Sequence, residues 1–536
     1  MRSKAVIFTL GLATFLALCL HQIELPGLNY DEAFDVVPAM QLLLGQPTEP
    51  LRGSGIHIAG RIFPLMVMDY KGTVHTYLAI PFFLLLGINV FSLRLSTVTL
   101  ASLALLATYS LAEELYDEKA AAIAFLLLAV NPSFIFWSRQ GVLWTSVMTL
   151  LSVGSLLFLL RWRREKHPAY LCLGAFLLGL GLSAKLLFLW FPLALAVTWL
   201  VLGRPLPHLD RIQVAAAALS FLVGASPLLV YNLQTWGTVK VLTSNLTTSY
   251  YGVNNLAFLS NLKLRLSQFR ALLTGRNFWY LGGGFGNDLY PFLFLLIAGG
   301  SLLLAVKARE GWRRVAFPLL MMALMVVESC ATVSDLWPEH YLILLPLPQL
   351  AIAGGLSLIL RQLGGAKHRF VPMGSYGGKL ALGAAVLIIA LLIGGDLRVD
   401  WRYHRALDYC GGLQAHSDAI YRLAEYLDKQ RITSPLAMDW GIKTSVQFLT
   451  LGRVNPVELF GYESPTEVDV AFEERLAPFL ESPGSLFIFH SKGTTAFQGR
   501  REALERMAKS RGKELHTERI FYGRSGEPVF ELMKVE

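Results

Sequence analysis

The sequence predicts a mainly α, polytopic membrane protein of about eleven transmembrane helices, with juxtamembrane helices on its outer face and a small C-terminal α/β domain. Three observations carry that prediction. The 536 residues are 54% hydrophobic and only 16% charged, with a mean hydropathy of +0.49, a composition that no ordinary soluble domain of this length shows. Apolar segments near the roughly 20 residues needed for a crossing recur from Ala5 almost to Asp396. Beyond Asp396 the character changes. The tail carries 19 Lys and Arg against 21 Asp and Glu, a net of −2, so +11 belongs to the residues before it. The expected division is therefore a membrane part, 1–395, and a soluble part, 396–536.

Basic residues orient the membrane part, because Lys and Arg collect in cytoplasmic loops. Five clusters occur: MRSK at the start, RWRREKH from Arg161, GRPLPHLDR from Gly203, KAREGWRR from Lys307 and RQLGGAKHR from Arg361. Spans at 5–21, 91–112, 120–136, 142–160, 169–183, 186–202, 212–231, 291–306, 315–333, 341–360 and 380–393 place all five inside. Leu18 stands before Cys19 where a lipoprotein cleavage site wants a small residue, so the first segment reads as a retained helix. The stretch 75–88 is short and holds Pro81; counting it would put every later basic loop outside, so it is assigned to the outer interface. The cytoplasmic placement of the basic loops accounts for the excess charge, and no basic stripe or motif points to nucleic acid.

Two long outer loops follow, 22–90 and 232–290. Phe34, Val37, Met40, Gln41 and Leu44 of the first have the spacing of an amphipathic helix lying on the membrane surface. LGGGFG, 281–286, predicts a mobile or tightly turned segment. In the tail, 418–430, 467–480 and 500–511 have helical periodicity, while 485–490 and 519–535 read as strands. On the span count this tail lies outside the cell membrane. Cys19, Cys172, Cys330 and Cys410 form no CxxC pair and no disulfide framework.

The motif NYDEAFD, Asn29 to Asp35, sets three carboxylates where the first helix leaves the membrane. One reading is structural: Asn29 caps a helix with Glu32 three residues on, and acids favour a helix start. The other is catalytic. Asp31, Glu32, Asp35 and Asp69 could also supply hard oxygen ligands to a divalent cation, but no spacing singles out an ion.

This motif resembles the short acidic motif after the first span in the GT-C glycosyltransferases, among them the family 39 protein O-mannosyltransferases and the aminoarabinose transferases. DYKGTVHTYLAIPFFLLLGINVFSLRLS from Asp69, NPSFIFWSRQG from Asn131, GLGLSAKLLFLWFP from Gly179 and PEHYLILLPLP from Pro338 are similar to further landmarks of that superfamily. Two departures occur. His75 is followed by Thr76 and Tyr77 where the mannosyltransferases have His-Pro-Pro, and GVLWTS after Gln140 lacks the acid that aminoarabinose-type relatives carry.

The resemblance implies a glycosyltransferase, hexosyl or pentosyl, that takes one sugar from a polyprenyl-phosphate donor and passes it to a hydroxyl of a protein, lipid or glycan. It implies that Asp31, with Glu32 beside it, acts as the base or holds the acceptor, since a hydroxyl is a poor nucleophile until a carboxylate takes its proton. The leaving lipid phosphate calls for cations, and Arg139, Lys185 and His340 lie at outer helix ends on the span count. Asp69, Lys71 and His75, in the first outer loop, are placed to meet Asp31. The alternative for Arg139 and Lys185 is a side chain that only snorkels to headgroups; for His340 it is a helix cap beside Glu339.

Two other classes compete. A transporter or lipid flippase would show inverted repeats and ionisable groups near the bilayer centre, whereas this chain has no repeat and its charges gather at helix ends. A polysaccharide polymerase or ligase shares the many spans and the large outer loop, but the early acidic loop is not its hallmark.

Overall fold

The computed structural model describes residues 2–141, 145–203, 208–249, 252–309, 311–332, 335–363, 376–482 and 484–536. The basic clusters from Gly203 and Arg361, and the GVLWTS segment, lie partly outside the described residues. The chain is mainly helical.

Helix α1 (Arg2–Leu20) leads to α2 (Tyr30–Leu44). Asn29 starts α2 with a capping box: its side chain accepts from the Asp31 N–H at 2.9 Å, and Glu32 accepts from the Asn29 N–H at 3.3 Å. Gly45, at φ 70°, ends it. Two antiparallel pairs follow, β1 (Gly55–Ile58) with β2 (Arg61–Pro64) and β3 (Met66–Met68) with β4 (Lys71–Gly72). Then come α3 (Val74–Leu86) and α4 (Val90–Leu115), α4 capped by Asn89. At 13 residues α3 spans about 20 Å, too short to cross alone.

The next helices are α5 (Glu118–Ala129), α6 (Pro132–Gln140), α7 (Thr145–Glu165), α8 (Pro168–Ala184), α9 (Trp190–Val201), α10 (Arg211–Thr235), α11 (Gly237–Ser244), α12 (Phe258–Thr274), α13 (Leu289–Ala308), α14 (Trp312–Glu328), α15 (Leu347–Leu363) and α16 (Tyr376–Cys410). Among the described residues, five helices are singly long and apolar enough to cross a membrane, namely α4, α7, α10, α13 and α16 from Gly378. The number rises to seven when α5 with α6, bent by 58°, and the 3₁₀ turn Pro338–Leu344 with α15, bent by 42°, each count as one crossing. Prolines explain both bends: Pro132 and Pro346 have no N–H to continue a helical ladder. The segments near α1, α3, α8 and α9 are shorter apolar helices.

Several expectations are corrected by packing. The stretch 232–290 is no open loop, since it contains α11 and α12. Of the two expectations for LGGGFG the tight turn is the one found: a Cβ on Gly282, at φ 99°, would meet Ala406 and Cys410 of α16 at 3.0 Å. The helix expected to lie on the membrane surface is covered instead: α2 is packed between α3 and a helix of the tail, with Ala33, Val36 and Ala39 fully buried. The composition change at Asp396 falls inside α16, which continues unbroken to Cys410.

Helices α8 and α10 approach most intimately where each carries a glycine. A Cβ at Gly179 would stand 2.1 Å from the Phe221 carbonyl oxygen, and one at Gly224 would stand 2.2 Å from that of Phe176. Small residues permit such backbone contact in membrane helices. Gly179→Val is therefore expected to destabilise the protein by about 1–3 kcal/mol or more through overpacking, measured as a lower thermal inactivation temperature in detergent. A mutant as stable as the parent would contradict this contact.

After α16 the chain forms α17 (Ala419–Lys429), β5 (Leu436–Ala437), α18 (Lys443–Leu449), β6 (Val457–Glu458), α19 (Phe472–Glu481), β7 (Leu486–His490), α20 (Arg500–Ser510), β8 (Leu515–Tyr522) and β9 (Pro528–Val535). The strands make one sheet in the order β6-β5-β7-β9-β8, parallel through β6, β5 and β7 and antiparallel through β9 and β8. Helix α18 is the one that covers α2, and Phe448 joins the main apolar core.

Candidate active site

The three acids of NYDEAFD have three different fates. Glu32 is fully buried and forms a fork with Arg94 of α4, Nε to Oε2 and Nη2 to Oε1, both at 2.8 Å. The same guanidinium donates to the carbonyls of Ile23 at 2.8 Å, Pro26 at 2.9 Å and Gly27 at 3.4 Å. It thereby clamps the segment that leads into α2. Asp35, one helical turn beyond Asp31, pairs with Lys71 at 2.6 Å, both side chains 1% exposed. Asp31 is only partly buried, and its carboxylate has no ion pair or hydrogen bond among the described residues.

Two lysines lie within electrostatic reach of this carboxylate because two distant segments meet there. Lys71 of β4 and Lys185, in the extended break after α8, form an isolated antiparallel bridge, and the Leu186 N–H donates to the Tyr70 carbonyl at 2.8 Å. Gly72 makes the approach feasible, since a Cβ there would lie 2.0 Å from the Ser183 carbonyl oxygen. Lys185 is 1% exposed and has no carboxylate at ion-pairing distance among the described residues. Burial, reinforced by the charge of Lys71, pushes the Lys185 ammonium down to about 7, against the opposing pull of Glu339, Asp31 and Asp35. Burial raises Asp31 above the usual aspartate value, opposed by Lys71 and Lys185. Asp35 is raised for the same reason. His75 is fully buried beside Lys71 and Lys185; burial first, then those two charges, hold it well below its ordinary value.

His340 completes the group from the turn Pro338–Leu344, with Nδ1 3.5 Å from Glu339 Oε1. Glu339 in turn lies within electrostatic reach of Lys185 and Asp31. Of the residues selected from sequence, the fold thus gathers Asp31, Lys71, His75, Lys185 and His340, with Glu32 anchored alongside.

Two are held elsewhere. Asp69 takes a bidentate contact from Arg52, at 2.7 and 2.9 Å, and accepts from the Tyr231 hydroxyl, tying the first loop to the end of α10. Arg52 and Tyr231 hold it low, against burial. Arg139 is fully buried and donates to the carbonyls of Cys19, His21 and Gln22 at the end of α1. The Cys19 carbonyl belongs to the last turn of the helix, the place where a cation is favoured, and the Gln22 carbonyl also accepts from the Leu25 N–H at 2.8 Å.

One functional candidate escaped the sequence. Arg265 of α12 is fully buried; its Nη1 donates to Gln268 Oε1 at 3.1 Å, while Nε and Nη2 have no hydrogen-bond partner among the described residues. It lies within electrostatic reach of His340 and Tyr341. Lys263, Arg270 and Arg276 share its polar segment, so only burial distinguishes it. Among the described residues no three His, Cys, Asp or Glu side chains are grouped to hold a metal ion.

Residues 71–231 match the sequence model of the dolichyl-phosphate-mannose-protein mannosyltransferase family. No curated protein sequence matches the chain. Among solved structures, ArnT from Cupriavidus metallidurans in its apo state superposes with a TM-score of 0.63 at 11% identity, covering 99% of this chain and 98% of that one. The same protein bound to undecaprenyl phosphate gives 0.56 at 11% identity, over 98% and 97%. The Archaeoglobus fulgidus oligosaccharyltransferase tethered to an acceptor peptide gives 0.54 at 14% identity, over 91% of this chain and 69% of that one. Several apolar helices, an acidic first loop and these superpositions lead to one conclusion: the chain is a membrane protein with the fold of the GT-C glycosyltransferases.

Proposed function

We propose that the protein is a glycosyltransferase that moves a single hexosyl or pentosyl unit from a polyprenyl-phosphate donor to a hydroxyl of a protein, lipid or glycan acceptor. In this reading it crosses the cell membrane about eleven times, with the Asp31 cluster and the tail, 396–536, on the outer face. The observation that carries it is the Asp31 carboxylate, uncommitted among the described residues and within electrostatic reach of two buried lysines, of which Lys185 has no carboxylate partner among those residues. That the similar ArnT binds undecaprenyl phosphate supports a lipid-phosphate donor.

Asp31 takes the proton of the acceptor hydroxyl as its oxygen bonds to the anomeric carbon. The bond from that carbon to the phosphate oxygen breaks, and the polyprenyl phosphate leaves with the electron pair. Its negative charge falls to Lys185, to Arg265 with its free donors, and to His340 as a neutral hydrogen-bond partner. Lys71 and His75 position the cluster, Lys71 by neutralising Asp35. Glu32 and Arg139 fix the two ends of the segment between α1 and α2, and Asp69 fixes the loop that delivers Lys71.

The test is release of polyprenyl phosphate by the purified protein in nanodiscs, supplied with hexose- and pentose-linked donors and an acceptor extract. Turnover with none of them would overturn the reading.

A pH dependence follows with a definite sign. Lys185 is a cation below about 7 and loses its charge as pH rises through that value in the free protein, so kcat/KM for the donor should fall on the alkaline side near 7. On the acid side activity should fall as Asp31, raised above the usual value, takes up a proton. Lys185→Arg should remove the alkaline limb, because arginine stays charged. An unchanged limb in that variant would exclude Lys185 as its source.

A further inference from the structure

The tail carries a cleft of about 690 Å³ between α17 and β8, within the roughly 300–1,000 Å³ range of ligand sites. Four cations line it, Arg422, Lys429, Arg519 and Arg524, against one carboxylate, Glu425. Glu425 is paired with Lys429 at 2.5 Å. Arg422 and Arg524 share Asp418, at 3.2 and 2.6 Å, and Arg524 also stands 4.0 Å from the exposed Asp408. Arg519 has no carboxylate at ion-pairing distance among the described residues; it lies over the rings of Tyr426 at 4.5 Å and Phe521 at 5.7 Å.

We infer that this cleft binds an anionic saccharide. Excess positive charge selects an anion, and guanidinium groups fork onto carboxylate, sulfate or phosphate. The half-exposed Tyr522 ring, with the partly exposed Tyr426 beside it, offers flat apolar surface to a sugar ring. A peptide strand is disfavoured although β8 is outermost in the sheet. Its register with β9 slips between Thr517 and Arg519 and again between Phe521 and Tyr522, which breaks the straight ladder that strand addition requires.

Lipid headgroups are disfavoured by height. The 33 residues of α16 from Gly378 extend about 50 Å, while the hydrocarbon layer is about 30 Å thick, so about 20 Å projects beyond it. With the apolar half of α16 taken as the crossing, the polar half after Asp396 is the part that projects, and Arg524 sits beside Asp408 near its far end. Binding in the cleft needs no catalysis. On the transferase reading above, it holds the distal part of an acceptor glycan.

The experiment titrates oligogalacturonate, and its neutral methyl ester, into the full chain in nanodiscs of zwitterionic lipid. The charged oligomer should bind at least about tenfold tighter than the ester, and Arg519→Glu should weaken it about tenfold or more. Lys429→Glu, at an exposed position where no core packing is lost, should weaken it in the same direction. Asp31→Asn should bind like the parent, which keeps this claim separate from transfer. Equal binding of acid and ester, or parental affinity in both cleft variants, would overturn the proposal. Tighter binding of polyglutamate would make the cleft a peptide site, and binding confined to vesicles of anionic lipid would make it a headgroup site; either result refutes a saccharide site.

Discussion

Asp31→Asn is expected to lower the rate of sugar transfer by about 10²–10⁴-fold, the contribution of a positioned general base, with little change in donor KM or in stability. Asparagine has the same shape but cannot take the proton of a hydroxyl. The prediction is specific to Asp31 because its neighbours are committed: Glu32 to Arg94 and Asp35 to Lys71. The cap on α2 survives, since Asn29 accepts from the backbone N–H of residue 31 and not from its side chain. Single-turnover transfer in nanodiscs measures the chemical step, and donor binding by the mutant supplies the control. A mutant retaining more than about a tenth of parental kcat would remove Asp31 from the role of base.

Arg94→Met should give the largest loss of stability, about 3–5 kcal/mol, because it leaves the Glu32 carboxylate buried without a partner. Three carbonyls of the segment 23–27 lose their donor in the same change. Removing both partners, Arg94→Met with Glu32→Leu, should recover part of the loss, since an apolar pair does not strand a charge. Thermal inactivation and the yield of folded protein in detergent measure both. Equal loss in the single and double variants would show that the carbonyl contacts, not the ion pair, hold the clamp. Transfer should fall alongside, because residues 23–27 set the entry of α2 and hence the position of Asp31.

The prolines at 132 and 346 show how far a linear reading reaches. Hydropathy marked 120–136 and 341–360 as single crossings, and both are helix pairs bent at a proline. Hydropathy averages over a window, whereas a bend depends on one missing N–H. The amphipathic spacing of Phe34, Val37 and Met40 gave the helix but not its cover. Membrane and protein offer the same apolar solvent to such a face, and α18, more than 400 positions along the chain, supplies it.

By itself the sequence determined the membrane class, the acidic motif at the end of the first helix and the resemblance to GT-C enzymes, because these depend on composition and on residues near one another in the chain. It also supplied Asp31, Lys71, His75, Lys185 and His340 as chemistry-bearing side chains. Only the tertiary structure decided which acids are free and which cations are committed. Glu32 and Asp35 look equivalent to Asp31 in the chain, and the difference is made by Arg94 and Lys71 arriving from elsewhere. Arg139 reads as a phosphate ligand until its Nε and Nη2 donors are found on the end of α1. Arg265 reads as an ordinary loop residue until its guanidinium is found buried with open donors. The physical reason is that charge in a low-dielectric interior is defined by its partner within a few ångströms, and partners are brought together by folding across segments that sequence spacing does not relate.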